Sequence, residues 1–107
     1  MSLKIFGQVA PAANTLTTLY TVPVDKVLVI SVLFINNRGN NSKFNVALRV
    51  DGAPIENKHW IYFEQTISAG VALERLKGAT LQAGTIVSVQ GQSANFGFTL
   101  CGEEIDA

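Results

Sequence analysis

One histidine and one cysteine bound the covalent and metal chemistry open to this chain. Any Ser/His/Asp or Cys/His arrangement has to use His59, in "NKHWIYF", because a hydroxyl or thiol nucleophile needs an adjacent base. The alternating pattern there turns His59 to the same side as Ile61 and Phe63, which suits a hydrogen-bonded histidine at a strand edge or interface. Cys101, beside Gly102 at the end of the last apolar stretch, reads as a small half-buried side chain. No G-x-S-x-G elbow presents a serine. "GQSANFG" lacks the lysine and the following helix that a phosphate-cradling loop requires. Zinc would need carboxylates to complete a His/Cys set, an unusual combination. The carboxylates are Asp25, Asp51, Glu56, Glu64, Glu74, Glu103, Glu104 and Asp106, and none follows calcium-loop spacing. Glu103, Glu104 and Asp106 cluster at the C-terminal end, where a solvated tail is expected. No catalytic residue, metal ligand or cofactor-binding residue is assigned.

Binding chemistry has better material. Trp60 and Tyr62 stand two residues apart, so an unbroken strand puts both on one face, near Asn57 and Gln65. Aromatic faces flanked by amides suit a carbohydrate platform; they suit a protein interface equally well. "NNRGNNS" (Asn36–Ser42) joins two strand-like stretches. Its Gly39 and flanking asparagines tolerate a left-handed turn, and Arg38 has the reach to clamp a carboxylate on a neighbour. Asn40-Asn41-Ser42 matches the N-glycosylation acceptor pattern, which means little without a secretory signal.

The elements that would position these residues are strands. Period-two patterns and turn signals recur along the chain, and no long segment shows helical periodicity. Strands are expected at Thr15–Val22, Lys26–Asn36, Lys43–Asp51, Lys58–Gln65, Val71–Leu76, around Leu81, at Thr85–Gln90 and at Asn95–Cys101. About seven to eight strands make a single all-β antiparallel sandwich, jelly-roll or immunoglobulin-like. Its expected bounds are residues 14–102, with an N-terminal arm over 1–13 and a C-terminal tail over 103–107.

Two strands are apolar on both faces, which a water-facing sheet would not tolerate. In the second, Val27, Val29, Leu33 and Ile35 face one way, and Leu28, Ile30, Val32 and Phe34 the other. In the fourth, His59, Ile61 and Phe63 oppose Trp60 and Tyr62. A loop, the N-terminal arm or a neighbouring subunit must cover the surplus faces. Leu28, Ile30, Val32, Phe34, Trp60 and Tyr62 form the candidate contact surface, with Arg38 beside it. An obligate contact of this kind buries on the order of 2,000 Å² or more.

Composition narrows the partners. Apolar residues make up 48% of the 107 residues and charged residues only 15%, against roughly a quarter in average proteins. Net charge is zero and the cations are scattered, so nucleic-acid binding is set aside. The apolar run Val27–Ile35 is far too short to span a membrane, and the N-terminus has no apolar signal core. A lone cysteine fits synthesis in a reducing compartment.

"GQVAPAANTLTTLYTVP", "NNRG", "NKHWIYF", "LQAGTIVSV" and "FGFTLCGEEI" together resemble small virion proteins of tailed bacteriophages and prophages, over Gly7 to Ile105. The family pattern has "VPAGK" where this chain has "VPVDK". The resemblance implies a non-enzymatic structural part of the particle, made in the host cytoplasm and located in the virion. Such β-sandwich modules decorate or cement capsids or build tails and fibres, often as trimers. The partners implied are further copies of the chain and other virion proteins, such as major capsid or tail proteins. A carbohydrate-binding or host-receptor adhesin module, contacting a host-surface glycan, is the alternative.

Overall fold

Runs rich in Val, Ile, Thr and Phe form the strands, and Gly, Pro, Asn and Asp punctuate them. The computed structural model describes residues 4–50 and 53–106. The strands are β1 (Lys4–Val9), β2 (Thr17–Thr21), β3 (Lys26–Asn37), β4 (Ser42–Val50), β5 (Trp60–Ile67), β6 (Ala72–Arg75), β7 (Thr80–Leu81), β8 (Thr85–Gly91) and β9 (Phe96–Asp106). Sheet I has the order β1-β9-β3-β6, with β7 also paired to β3. Sheet II has the order β2-β8-β4-β5. Every pairing is antiparallel. The pairs are nested: β1 with β9, β2 with β8, β3 with β6 and β7, β4 with β5. A long hairpin rolled so that its strand pairs fall in two sheets is a jelly roll, whereas the immunoglobulin order keeps the first two strands in one sheet.

The core lies between the sheets. Leu28, Ile30, Leu33, Ile35, Phe98 and Leu100 of sheet I meet Phe44, Val46, Val87 and Val89 of sheet II, all buried. Phe44 is the hub, its ring 6.3 Å from those of Tyr62 and Phe96 and 6.5 Å from that of Phe98. Burying each such side chain contributes about 1.5–3 kcal/mol.

The ends of the chain differ from expectation. Lys4–Val9, within the expected arm, is the edge strand β1, paired with β9. A bulge between Ile5 and Gly7 breaks its period and hides the strand from a pattern reading. Gly7 is required there, since a Cβ would sit 2.5 Å from the Leu19 carbonyl oxygen. Residues 103–106, expected as a solvated tail, continue β9 to its pairing with Lys26. Their charges are held: the Tyr20 hydroxyl donates to the Glu104 carboxylate, and Asp106 pairs with Lys26. Met1–Leu3, Asp51, Gly52 and Ala107 lie outside the described residues.

The turn at Pro23–Lys26 holds Asp25 at φ 68°, a left-handed conformation that glycine adopts more readily. Asp25 is one of the two positions at which "VPVDK" departs from the "VPAGK" of the resemblance. No helix among the described residues is long and apolar enough to cross a membrane.

Candidate functional site

β3 explains the first surplus face. Its register against β9 shifts between Ile30 and Val32, so Ser31 is a bulge residue. A bulge adds one residue and reverses the parity of everything after it. Leu28 and Ile30 point into the core before the bulge, and Leu33 and Ile35 do so after it. The expected face Leu28, Ile30, Val32, Phe34 is therefore split. Leu28 and Ile30 are core residues at 0% exposure, while Phe34 stands on the outer face at 38%.

That outer face is apolar across three strands. Val27, Val29 and Val32 are half-buried along β3, with Phe34 exposed beyond them. Val32 pairs with Cys101 and Cys101 with Ile5, a row crossing β3, β9 and β1. Ile105 opposite Val27 extends the band. Glu103, Thr99, Thr80 and Glu74, opposite Val29 and Phe34, supply the polar groups.

β5 carries the second surplus face, and it too is bulged. Its register against β4 shifts between Tyr62 and Trp60 and again between Gln65 and Tyr62. Trp60 pairs with Ala47 on the outside of sheet II, whereas Tyr62 pairs with Val46 and packs on Phe44 in the core. The expected Trp60–Tyr62 platform does not form. Trp60 instead meets Phe63, ring centroids 5.3 Å apart. Phe63 and Glu64 line a hollow of about 250 Å³ with Asn14, Asn45, Gln90, Gly91 and Gln92.

Part of that outer face is covered by the chain itself. Arg49 donates to the Ala53 carbonyl at 3.2 Å and to the Ser88 hydroxyl at 3.2 Å, pinning the β4–β5 connection over the sheet. Ala47 and Ser88, both outward, are fully buried. His59 belongs to this cover. It closes a 3₁₀ turn (Asn57–His59), and its Nδ1 accepts the Glu56 backbone N–H at 2.9 Å. It is buried and holds a turn.

Asn36–Ser42 is built around Asn37, which is buried. Its Nδ2 donates to the Asn40 carbonyl at 2.8 Å, and its Oδ1 accepts the Gly39 N–H at 3.0 Å. No residue of the stretch has a positive φ. Gly39 is needed for space instead, since a Cβ would lie 2.2 Å from the Asn95 side chain. Arg38 is exposed and lines a second hollow, of about 260 Å³, with Ala10, Asn36, Asn95 and Gly97 among its walls. It forms no salt bridge with another described residue.

Titratable groups elsewhere serve the sandwich. The Tyr20 hydroxyl is pushed up to about 12 by its burial, then by its hydrogen bond to Glu104 and that carboxylate's charge. Among the described residues, no group of three or more His, Cys, Asp or Glu gathers as metal ligands. Neither a protein-family model, a curated protein nor a solved structure matches the chain.

Proposed function

We propose that the protein is a non-enzymatic structural subunit of a tailed-bacteriophage particle. It assembles as a homo-oligomer, a trimer by the resemblance, and decorates the capsid or forms part of the tail or fibre apparatus. The observation that carries this reading is the apolar outer face of sheet I. A sheet face open to water is mostly polar, yet on this one Val27, Val29, Val32, Phe34, Ile5, Cys101 and Ile105 stand among only a few polar groups, Glu103, Thr99, Thr80 and Glu74. Apolar surface of that kind supports a contact with another protein. The sequence resemblance supplies the setting, and the jelly roll is a fold used by capsid proteins, although a fold alone does not carry a function.

The test is the oligomeric state of the wild type beside Val32→Lys and Phe34→Lys. Light scattering should give an oligomer for the wild type and monomers for both variants, with far-UV circular dichroism unchanged. Tagged protein should then co-purify with particles, and imaging of the label distinguishes head from tail. A wild type that is monomeric at every concentration and absent from purified particles sinks the reading.

A further inference from the structure

The hollow beside Phe63 carries features that the packing of the sandwich does not require. Phe63 keeps 54% of its surface exposed. Polar side chains from separate segments ring it: Asn14, Asn45, Glu64, Gln90 and Gln92. Several are already oriented. The Asn45 Oδ1 accepts the Glu64 N–H at 2.5 Å, and its Nδ2 donates to Gln90 Oε1 at 2.8 Å. Gln90 Nε2 donates in turn to the Asn14 carbonyl at 3.1 Å. Each amide retains donor or acceptor capacity after these bonds. Groups fixed in advance lose less entropy when a ligand arrives. Glu64 sits at φ 50°, within the register shift of β5 that turns Phe63 and Glu64 toward the hollow.

We infer that this hollow binds a single pyranose ring of a glycan. A pyranose has a C–H face, which stacks on an exposed aromatic ring, and a rim of hydroxyls that both donate and accept. The hollow answers with Phe63 for the face, amides for both kinds of hydrogen bond, and the Glu64 carboxylate to accept from a hydroxyl pair. No Lys or Arg is among the described residues that line it, which disfavours a phosphate or sulfate. An apolar ligand would leave the amides desolvated and unpaired, at a cost in affinity. Its volume of about 250 Å³ lies below the roughly 300–1,000 Å³ of drug-sized sites, so one ring fits better than several. The site does not depend on the assembly proposed above. It lies on the outside of sheet II, so covering the outer face of sheet I leaves it open.

The experiment titrates ¹⁵N-labelled protein with the methyl glycosides of glucose, galactose, mannose and N-acetylglucosamine. It follows the side-chain amide resonances of Asn45, Gln90 and Gln92, and the emission of Trp60, the only tryptophan. At least one glycoside is expected to move the amide signals saturably, with a dissociation constant on the order of 1 mM for so small a ligand. Phe63→Ala should weaken that binding by about tenfold or more, and Glu64→Gln by several-fold, both with an unchanged far-UV spectrum. Should Phe63→Ala fail to fold, Phe63→Leu replaces it, keeping bulk while removing the ring face. Silence from every glycoside at about 100 mM, a hundredfold above the expected constant, overturns the inference. So does binding that is unaltered in the Phe63 variant.

Discussion

Threonine scanning through β3 tests the bulge at Ser31 directly. Threonine is itself a good strand former, so strand propensity changes little while apolar side-chain volume is exchanged for a hydroxyl. Ile30 and Leu33 are both 0% exposed although they have opposite parity in the sequence. Ile30→Thr and Leu33→Thr each lose much of a side-chain burial of about 1.5–3 kcal/mol and bury a hydroxyl costing about 1–3 kcal/mol more. A combined loss of about 3 kcal/mol, over a urea m value of about 1.5 kcal/mol per molar, lowers the unfolding midpoint by about 2 M. Val32→Thr and Phe34→Thr alter the outer face, where changes to intrinsic stability run near 0.5 kcal/mol or somewhat above, or roughly 0.3 M. The assay is urea unfolding followed by Trp60 emission at two protein concentrations. Dissociation linked to unfolding makes a midpoint concentration-dependent. The inner variants should therefore shift it equally at both concentrations, and the outer ones should remove any dependence on concentration. An unbroken strand would pair Ile30 with Val32 and Phe34, and set Leu33 against them. Finding Val32→Thr as costly as Ile30→Thr, with Leu33→Thr mild, refutes the bulge and the assignment of the outer face with it.

Three further outcomes follow from the geometry. Gly102→Ala places a Cβ 2.4 Å from the Val29 carbonyl oxygen in the centre of sheet I. The expected loss is about 1–3 kcal/mol, or roughly 5–20 °C in melting temperature by calorimetry. Asp25→Gly relieves a left-handed aspartate and should raise stability by about 0.5–1 kcal/mol in the same measurement. Tyr20 holds its proton in the folded state up to about 12, against 10.0 for the free side chain. That contribution to stability is complete below pH 10.0 and is lost as pH rises toward about 12. Tyr20→Phe should flatten this alkaline limb in urea midpoints measured across the window, and a limb of unchanged steepness would rule the Tyr20–Glu104 contact out as its cause.

The fold was legible wherever alternation ran unbroken. β4 has Phe44 and Val46 inward and Asn45 and Arg49 outward, as its pattern requires. β3 and β5 resist the same reading for a shared physical reason. Parity propagates along a strand only until a residue is inserted, and a bulge needs no distinctive sequence. In "VLVISVLFI" both phases are apolar, so Ser31 is the lone local sign that the phase changes. In β5 the shift before Gln65 involves Glu64 at positive φ, where a glycine would have marked it. Gly39 misleads in the opposite sense, since its sequence setting points to a left-handed turn while the constraint is the Asn95 side chain against it. The hollow could not be read from any one stretch, because its walls come from the segment before β2, from β4, from β5 and from the end of β8. Both proposed surfaces arise from the same device. The bulge in β3 keeps apolar residues inward on either side of it and leaves Val32 and Phe34 outward. The bulges in β5 take Tyr62 into the core and put Phe63 beside the amides of β4 and β8. A surplus of apolar residues is therefore visible in composition, but which of them become surface is decided by single inserted residues.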